Sequence, residues 1–255
     1  MTLHFKPHVV STSNSFEKVL ESAKDYISSL SEAEKEKLKE ALDHGAGNLT
    51  SRSQLKAYLH AYGAIHQAKL QQAFENIPNK VWSEGEFSIV DYGCVQGIAE
   101  MVLADFIRNK FIDNDVVTDI TLIEPSRSNL QQSVEHTDAF YVSAEINAIQ
   151  KTDDQIVEDD IRPKAQTVIH ILSNVVDLDC FSGEQIIDIL SRDKEHNNIV
   201  VCVSPYYQEN SRGKRMEEFG NRLQGYTRHY KFEKHTDEWD KNYSCQIHIY
   251  VSSYY

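Results

Sequence analysis

The sequence predicts an α/β fold: a seven-stranded, mostly parallel sheet with an antiparallel C-terminal strand, preceded by an N-terminal helical region. Three observations predict it. After Trp82, short β-rich runs alternate with helical stretches, the signature of a parallel sheet with crossover helices. The last two runs are separated by too little chain for a parallel crossover, so they pair as a hairpin. The first 80 residues read as helical, which divides the chain into a helical cap over 1–80 and an α/β domain over 81–255.

In the helical region, Ser31 is followed three residues later by Glu34, a capping box, and the run SEAEKEKLKEALDHG stops at Gly45. From Ser51 to about Asn76, the set Leu55, Tyr58, Leu59, Tyr62, Ile65, Leu70 and Phe74 recurs mostly at three- and four-residue steps, as one face of a helix does. Pro78 ends it, because the residue before a proline is pushed out of the helical region, and Ile77-Pro78-Asn79 reads as a turn. Tyr58, Tyr62, His66 and Lys69 share roughly one face of this helix. That stripe is either core packing with exposed polar ends or a lid over a ligand.

Seven strands follow, at Phe87 to Tyr92, Ile120 to Glu124, Ala139 to Ser143, Thr167 to Leu172, Asn198 to Val203, His229 to Lys234 and Gln246 to Val251. Helical runs fit at Ile98 to Lys110, Ser126 to Val134 and Gly183 to Arg192. The acidic run Asp153, Asp154, Glu158, Asp159, Asp160 reads as a solvated connection. His170, inside a strand, reads as a hydrogen-bonded core residue.

The chain has 255 residues, 40% hydrophobic and 25% charged, with 10 Gly and 5 Pro, enough for one large α/β domain with an added helical piece and a buried core. A net charge of −13 works against broad nucleic-acid or anionic-membrane binding, which needs clustered cations. The run Arg212, Lys214, Arg215 with Arg222 is the local exception and reads as a solvated helix face. Cys94, Cys180, Cys202 and Cys245 lie far apart, so zinc spacing is absent, no metal is expected, and a reducing compartment suits them. The N-terminus lacks a signal-peptide core and no uncharged run approaches a membrane span; a cytoplasmic protein is the expectation.

The run Phe87-Ser88-Ile89-Val90-Asp91-Tyr92-Gly93-Cys94-Val95-Gln96-Gly97-Ile98-Ala99 reads as strand, glycine-bearing turn and helix. In open α/β sheets, ligands bind outside the carboxyl ends of strands near the first crossover, so a cofactor is expected at this turn. Its pattern D-x-G-x-x-x-G resembles motif I of class I S-adenosylmethionine-dependent methyltransferases, a Rossmann-like superfamily whose motif is usually D/E-x-G-x-G-x-G. Asp91, Gly93 and Gly97 match, while Val95 stands at the middle glycine. The resemblance runs from Ser88 to the C-terminus. It implies S-adenosylmethionine as cofactor, held at Asp91, Tyr92, Gly93, Cys94 and Gly97.

The same resemblance interprets the later strand ends. Ile120-Thr121-Leu122-Ile123-Glu124-Pro125 is an apolar strand ending in an acid at roughly the crossover distance, and the family assigns such an acid the two ribose hydroxyls: Glu124, with Pro125 beside it. Its local alternative is a helix N-cap neighbour or an exposed strand end. Ser143-Ala144-Glu145, after the third predicted strand, falls where the family contacts adenine, with Ala144 and Glu145 as candidates; a solvated loop acid is the other reading. Ser173 and Asn174, after the fourth strand, fall where the family faces the sulfonium and the methyl acceptor. Asn174 orients a nucleophile, binds the methionine portion or caps the next turn.

Ser204-Pro205-Tyr206-Tyr207 compares poorly with the D/N/S-P-P-Y/F motif of amino-methyltransferases. Tyr206 replaces the second proline and the run follows the fifth strand instead of the fourth, so adenine or cytosine N-methylation gains no support, although Tyr206 and Tyr207 lie at the ligand-facing end. No Ser/His/Asp or Cys/His arrangement is readable, and no catalytic residue is named, since methyl transfer draws its rate largely from alignment. The resemblance therefore implies a methyltransferase of unknown acceptor, or a degenerate relative that binds without turnover. A nicotinamide oxidoreductase ranks behind both, because Gly93-Cys94-Val95-Gln96-Gly97 does not fit G-x-G-x-x-G.

Overall fold

The computed structural model describes residues 14–42, 49–83, 85–110, 114–206, 211–234 and 244–253, with side chains at 211 and 212 left aside. Gly45 and Tyr207, the Arg212 side chain and the segment joining the last two strands lie outside this set.

Four helices come first: α1 (Phe16–Ser28), α2 (Glu32–Leu42), α3 (Arg52–Glu75) and the short α4 (Asn79–Ser83). The expected capping box at α2 is present, with the Ser31 N–H donating to Glu34 at 2.9 Å. A second opens α3 at Ser51 and Gln54. Strands and helices then alternate as β1 (Phe87–Tyr92), α5 (Ile98–Asn109), β2 (Val117–Ile123), α6 (Arg127–Phe140), β3 (Glu145–Ile149), β4 (Thr167–Ser173), α7 (Glu184–Arg192), β5 (Asn197–Ser204), α8 (Ser211–Arg222), β6 (Tyr226–Lys234) and β7 (Cys245–Ser252).

The strands form one sheet in the order β3-β2-β1-β4-β5-β7-β6. Pairs among the first five strands are parallel, and β7 runs antiparallel to both β5 and β6. The chain leaves β1 for β2 on one side and later enters β4 on the other, so the topological switch point, where ligands bind in such sheets, is the carboxyl end of β1 beside β4.

The third strand is not where the sequence pattern put it. Ala139 and Phe140 close α6, and β3 begins only at Glu145. Ala-Phe-Tyr-Val-Ser has strand-like composition, but packing decides otherwise: Phe140 and Tyr141 are buried, and the Tyr141 hydroxyl donates to the Glu100 carbonyl of α5 at 2.9 Å. Tertiary burial overrides local propensity here.

Each face of the sheet carries its own core. On one face, Ile89, Ile120, Ile169 and Ile249 pack with Phe16 of α1, Leu59, Leu70 and Phe74 of α3, and Met101 and Leu103 of α5. On the other, Val90, Val168 and Val200 pack with Ile186 and Leu190 of α7 and Met216, Phe219 and Leu223 of α8. The N-terminal helices α1 and α3 thus complete the same core as the sheet. Phe16 is fully buried, worth about 1.5–3 kcal/mol, and its N–H donates to Asp105 of α5 at 2.8 Å.

Helix α3 crosses the sheet. Near its start, the Leu55 carbonyl accepts from Gln96 at the bend after β1; near its end, Gln72 donates to Tyr230 of β6. That stretch rises roughly 25 Å at 1.5 Å per residue, enough to pass from β1 to β6 at about 4.8 Å per strand.

Helix α8 sits so close to β7 that a Cβ on Gly220 would lie 1.9 Å from the Tyr250 hydroxyl. Tyr250 has little room to move, because that hydroxyl also meets His248 at 2.9 Å and the Met216 carbonyl at 3.3 Å. Gly220→Ala is therefore expected to cost about 1–3 kcal/mol by overpacking, read as a lowered denaturation midpoint in urea. An unchanged midpoint would show that α8 can shift outward freely.

Candidate functional site

The bend after β1 is tied to the end of β2. Gly93 and Cys94 N–H groups both donate to the Ile123 carbonyl, at 2.8 and 3.2 Å. Gly93 takes φ +74, a conformation glycine adopts without steric cost, and a Cβ there would lie 2.4 Å from Val175 Cγ1. Val95, at the expected middle glycine, takes φ +46. For a β-branched residue this left-handed conformation is strained. Of the described non-glycine residues, only Asn174 shares a positive φ, at +57.

Glu124 holds the bend in this shape. Its carboxylate, only 5% exposed, accepts from the Val95 N–H at 3.2 Å, the Ser126 N–H at 2.9 Å and Asn129 Nδ2 at 3.4 Å. Burial raises its pKa, and these hydrogen bonds act against that rise. Pro125 is exposed, and its carbonyl accepts from Gln150, the residue after β3, at 3.2 Å.

Below the bend lies a second acid that sequence patterns did not single out. Glu100, in the first turn of α5, is fully buried and meets the carboxyl of Asp91, itself 1% exposed. Burial and the neighbouring carboxyl raise Asp91 well above the usual carboxylate range, with Glu124 adding to the rise; burial raises Glu100 to about 6. Two carboxyl groups in contact share a proton, since both cannot ionise together at such a distance.

At the end of β4, Asn174 Nδ2 donates to His66 Nδ1 at 2.9 Å and to Ser173 Oγ at 3.0 Å. Burial lowers the His66 pKa to about 3, so the ring is neutral and its Nε2–H points to the Tyr58 hydroxyl, 3.0 Å away. The α3 stripe is thus placed against the strand ends. Tyr58 and Tyr62 rings lie 5.0 Å apart, and buried Lys69, lowered chiefly by desolvation, feels Cys245 and Asp177. Asn174 Oδ1, Asp177 Oδ1 and Ser204 Oγ are buried without a hydrogen-bond partner.

The structure therefore brings Asp91, Gly93, Cys94, Gly97, Glu124, Pro125, Ser173 and Asn174 to neighbouring strand ends. Tyr92 joins them only by its backbone, because its side chain turns to the opposite face and its hydroxyl meets His170 at 3.1 Å. Ala144 and Glu145 do not join them. With β3 starting at Glu145, they sit at its amino end, and Glu145 pairs with Lys164 at 2.5 Å. Ile149 lies four residue steps beyond Glu145, about 13 Å of strand. The segment that does leave β3 toward the site is Gln150 and Lys151.

Two further features are separate from the site. A cavity of about 380 Å³ between α1, α3 and α6 shares only Gln96 with the bend. In the basic run on α8, Arg215 pairs with Asp179 at 2.8 Å and Arg222 with Glu184 at 2.7 Å, so these two cations are used within the chain. Among the described residues, no helix is long and apolar enough to cross a membrane.

No family model matches the chain, and no curated protein matches it. Solved structures do. The plantazolicin methyltransferase BpumL in complex with SAH is similar at 11% identity and TM-score 0.46, over 92% of this chain and 99% of that one. A TehB-like SAM-dependent methyltransferase from Corynebacterium glutamicum is similar at 12% and 0.45, over 91% and 98%. An rRNA methylase from Streptococcus thermophilus is similar at 12% and 0.43, over 80% and 98%. The chain itself has five parallel strands and an antiparallel last pair, a glycine bend after β1 and an acid closing β2, which is a Rossmann-like α/β arrangement.

Proposed function

We propose that the chain is an S-adenosylmethionine-dependent methyltransferase. The cofactor lies across the ends of β1 and β2, and the methyl acceptor approaches between the end of β4 and α3. One observation carries this reading: the Glu124 carboxylate points back into the bend and bonds the Val95 N–H at 3.2 Å, so acid and bend form one surface.

The residues present fit the cofactor. After its three contacts Glu124 keeps one lone pair, on Oε2, for a ribose hydroxyl. The buried Asp91, Asn174 and Asp177 oxygens without partners offer acceptors for a polar tail, since buried polar atoms otherwise find hydrogen bonds. Half-buried Gly93, Ser173 and Asn174 leave this strip reachable. When bound, the cofactor supplies a methyl group on a positively charged sulfur. The chain's residues align the partners and exclude water, which supplies most of the rate in such transfers. Asn174, fixed by His66 and Ser173, orients whichever group enters beside it. The net charge of −13 disfavours acceptors held by general phosphate attraction.

Calorimetry with S-adenosylmethionine, S-adenosylhomocysteine and NAD tests the reading, followed by transfer of labelled methyl groups to cell extracts. Binding of both sulfur nucleosides and labelling of an acceptor are expected; binding of NAD alone defeats the proposal.

A degenerate binder without turnover is the second reading, favoured by the strained Val95 and by Val175 against the face of Gly93. Val95→Gly separates the two. Strain relief and lost packing roughly offset, so stability is expected to change by less than about 1 kcal/mol. Tighter S-adenosylhomocysteine binding together with measurable transfer supports the active enzyme, whereas tighter binding with no transfer supports the degenerate reading.

A further inference from the structure

Helices α1, α3 and α6 each turn one face toward the cavity of about 380 Å³ that lies between them. On α3 that face is Arg52, Leu55, Lys56 and Leu59, whose three- and four-residue steps put them on one side of a helix. Leu55 and Leu59 are buried and, with buried Ala23 of α1, make an apolar wall. Arg52 is exposed and Lys56 half-buried. With Lys18 of α1 they set three cations around the cavity against one carboxylate, Glu135 of α6. In a chain of net charge −13 this is a local reversal of sign, and a concave surface of one sign concentrates the opposite ion. The Arg52–Glu135 pair, 3.5 Å apart between exposed side chains, is weak enough to be shared with a ligand.

Gln96, in the bend between Val95 and Gly97, also lines the cavity and is 0% exposed. Its Nε2 donates to the Leu55 carbonyl at 3.3 Å, which fixes the orientation of the amide, because a carbonyl cannot donate. Oε1 is left buried with no donor. His136 does not supply one. Burial keeps its ring neutral, its Nδ1 already donates to the Gln96 main-chain carbonyl at 2.7 Å, and its Nε2 faces the Gln132 amide at 3.1 Å. A buried acceptor without a donor is costly, and a ligand's O–H or N–H removes that cost.

We propose that this cavity is a second small-molecule site, for a small organic acid. Its carboxylate sits beside Arg52 and Lys56, its apolar ring or chain lies against Leu55 and Leu59, and a hydroxyl or N–H at its other end reaches Gln96 Oε1. The volume stands near the lower end of the range for small-molecule sites, about 300–1,000 Å³, which suits a single ring. Inorganic phosphate would leave the apolar wall and Gln96 unused, and an organic cation would meet the cations of the rim. The site shares only Gln96 with the bend and does not depend on the methyltransferase reading.

Titration calorimetry on the intact chain at low ionic strength, with no nucleoside present, tests this with four probes. 4-Hydroxyphenylacetate is expected to bind. Phenylacetate, which lacks the donor, is expected to bind roughly three- to tenfold more weakly. Tyramine, with an ammonium in place of the carboxylate, and inorganic phosphate are expected not to bind at the same concentrations. Lys56→Glu, on the rim, should weaken 4-hydroxyphenylacetate about tenfold. Gln96→Leu should make the two acids bind alike, and where that variant folds poorly, Lys56→Glu and the comparison of probes still decide. No binding of 4-hydroxyphenylacetate, equal affinity for the two acids, phosphate or tyramine binding as tightly, or indifference to Lys56→Glu each overturns this inference and leaves the methyltransferase reading standing.

Discussion

Glu124→Ala is expected to weaken S-adenosylhomocysteine binding by about 1–3 kcal/mol, the cost of leaving polar groups unpaired, or roughly five- to 150-fold in Kd. The carboxylate would contribute twice, by accepting from the ribose and by holding the bend through Val95, Ser126 and Asn129. Loss of stability accompanies loss of affinity for the second reason, because two backbone N–H groups lose their acceptor. Calorimetry well below the unfolding midpoint reads the affinity, and urea denaturation reads the stability. Unchanged affinity in a destabilised variant would show that Glu124 only braces the bend and does not touch the sugar.

Gly93→Ala is expected to lose about 2–5 kcal/mol of stability. About 1–2 kcal/mol comes from placing a Cβ at φ +74, and about 1–3 kcal/mol from driving that Cβ to 2.4 Å from Val175 Cγ1. Val175→Ala removes the second contribution and leaves the first. A double-mutant cycle between positions 93 and 175 should therefore show a coupling of roughly 1–3 kcal/mol. Simple additivity would show that Val175 stands clear of the bend, which would also remove the main structural support for the degenerate reading.

Much of the fold was legible in the sequence where the signal is local. Strand β1 falls at Phe87–Tyr92 as expected, and α5, α7 and β4 differ from their expected bounds by a residue at one end, since apolar runs bounded by glycine, proline and caps carry their own limits. The antiparallel pairing of β6 and β7 followed from the shortness of the chain between them. The third strand was misplaced because a stretch of high strand propensity was the end of a helix whose aromatics Phe140 and Tyr141 are buried. Ala144 and Glu145 moved to the wrong end of the sheet with it. Glu100 escaped notice because an acid in a first helical turn is ordinary in sequence, and only burial makes it unusual.

By itself, the sequence determined the alternation of strands and helices, the glycine bend from Asp91 to Gly97 and the acid at Glu124, because each is written in spacing along a few residues. Only the tertiary structure decided that α3 crosses the sheet to bring His66 against Asn174, that Val175 covers Gly93, and that Asp91 and Glu100 face one another away from water. These juxtapose residues distant in the chain or depend on how deeply a side chain is buried, and packing of the whole core settles both.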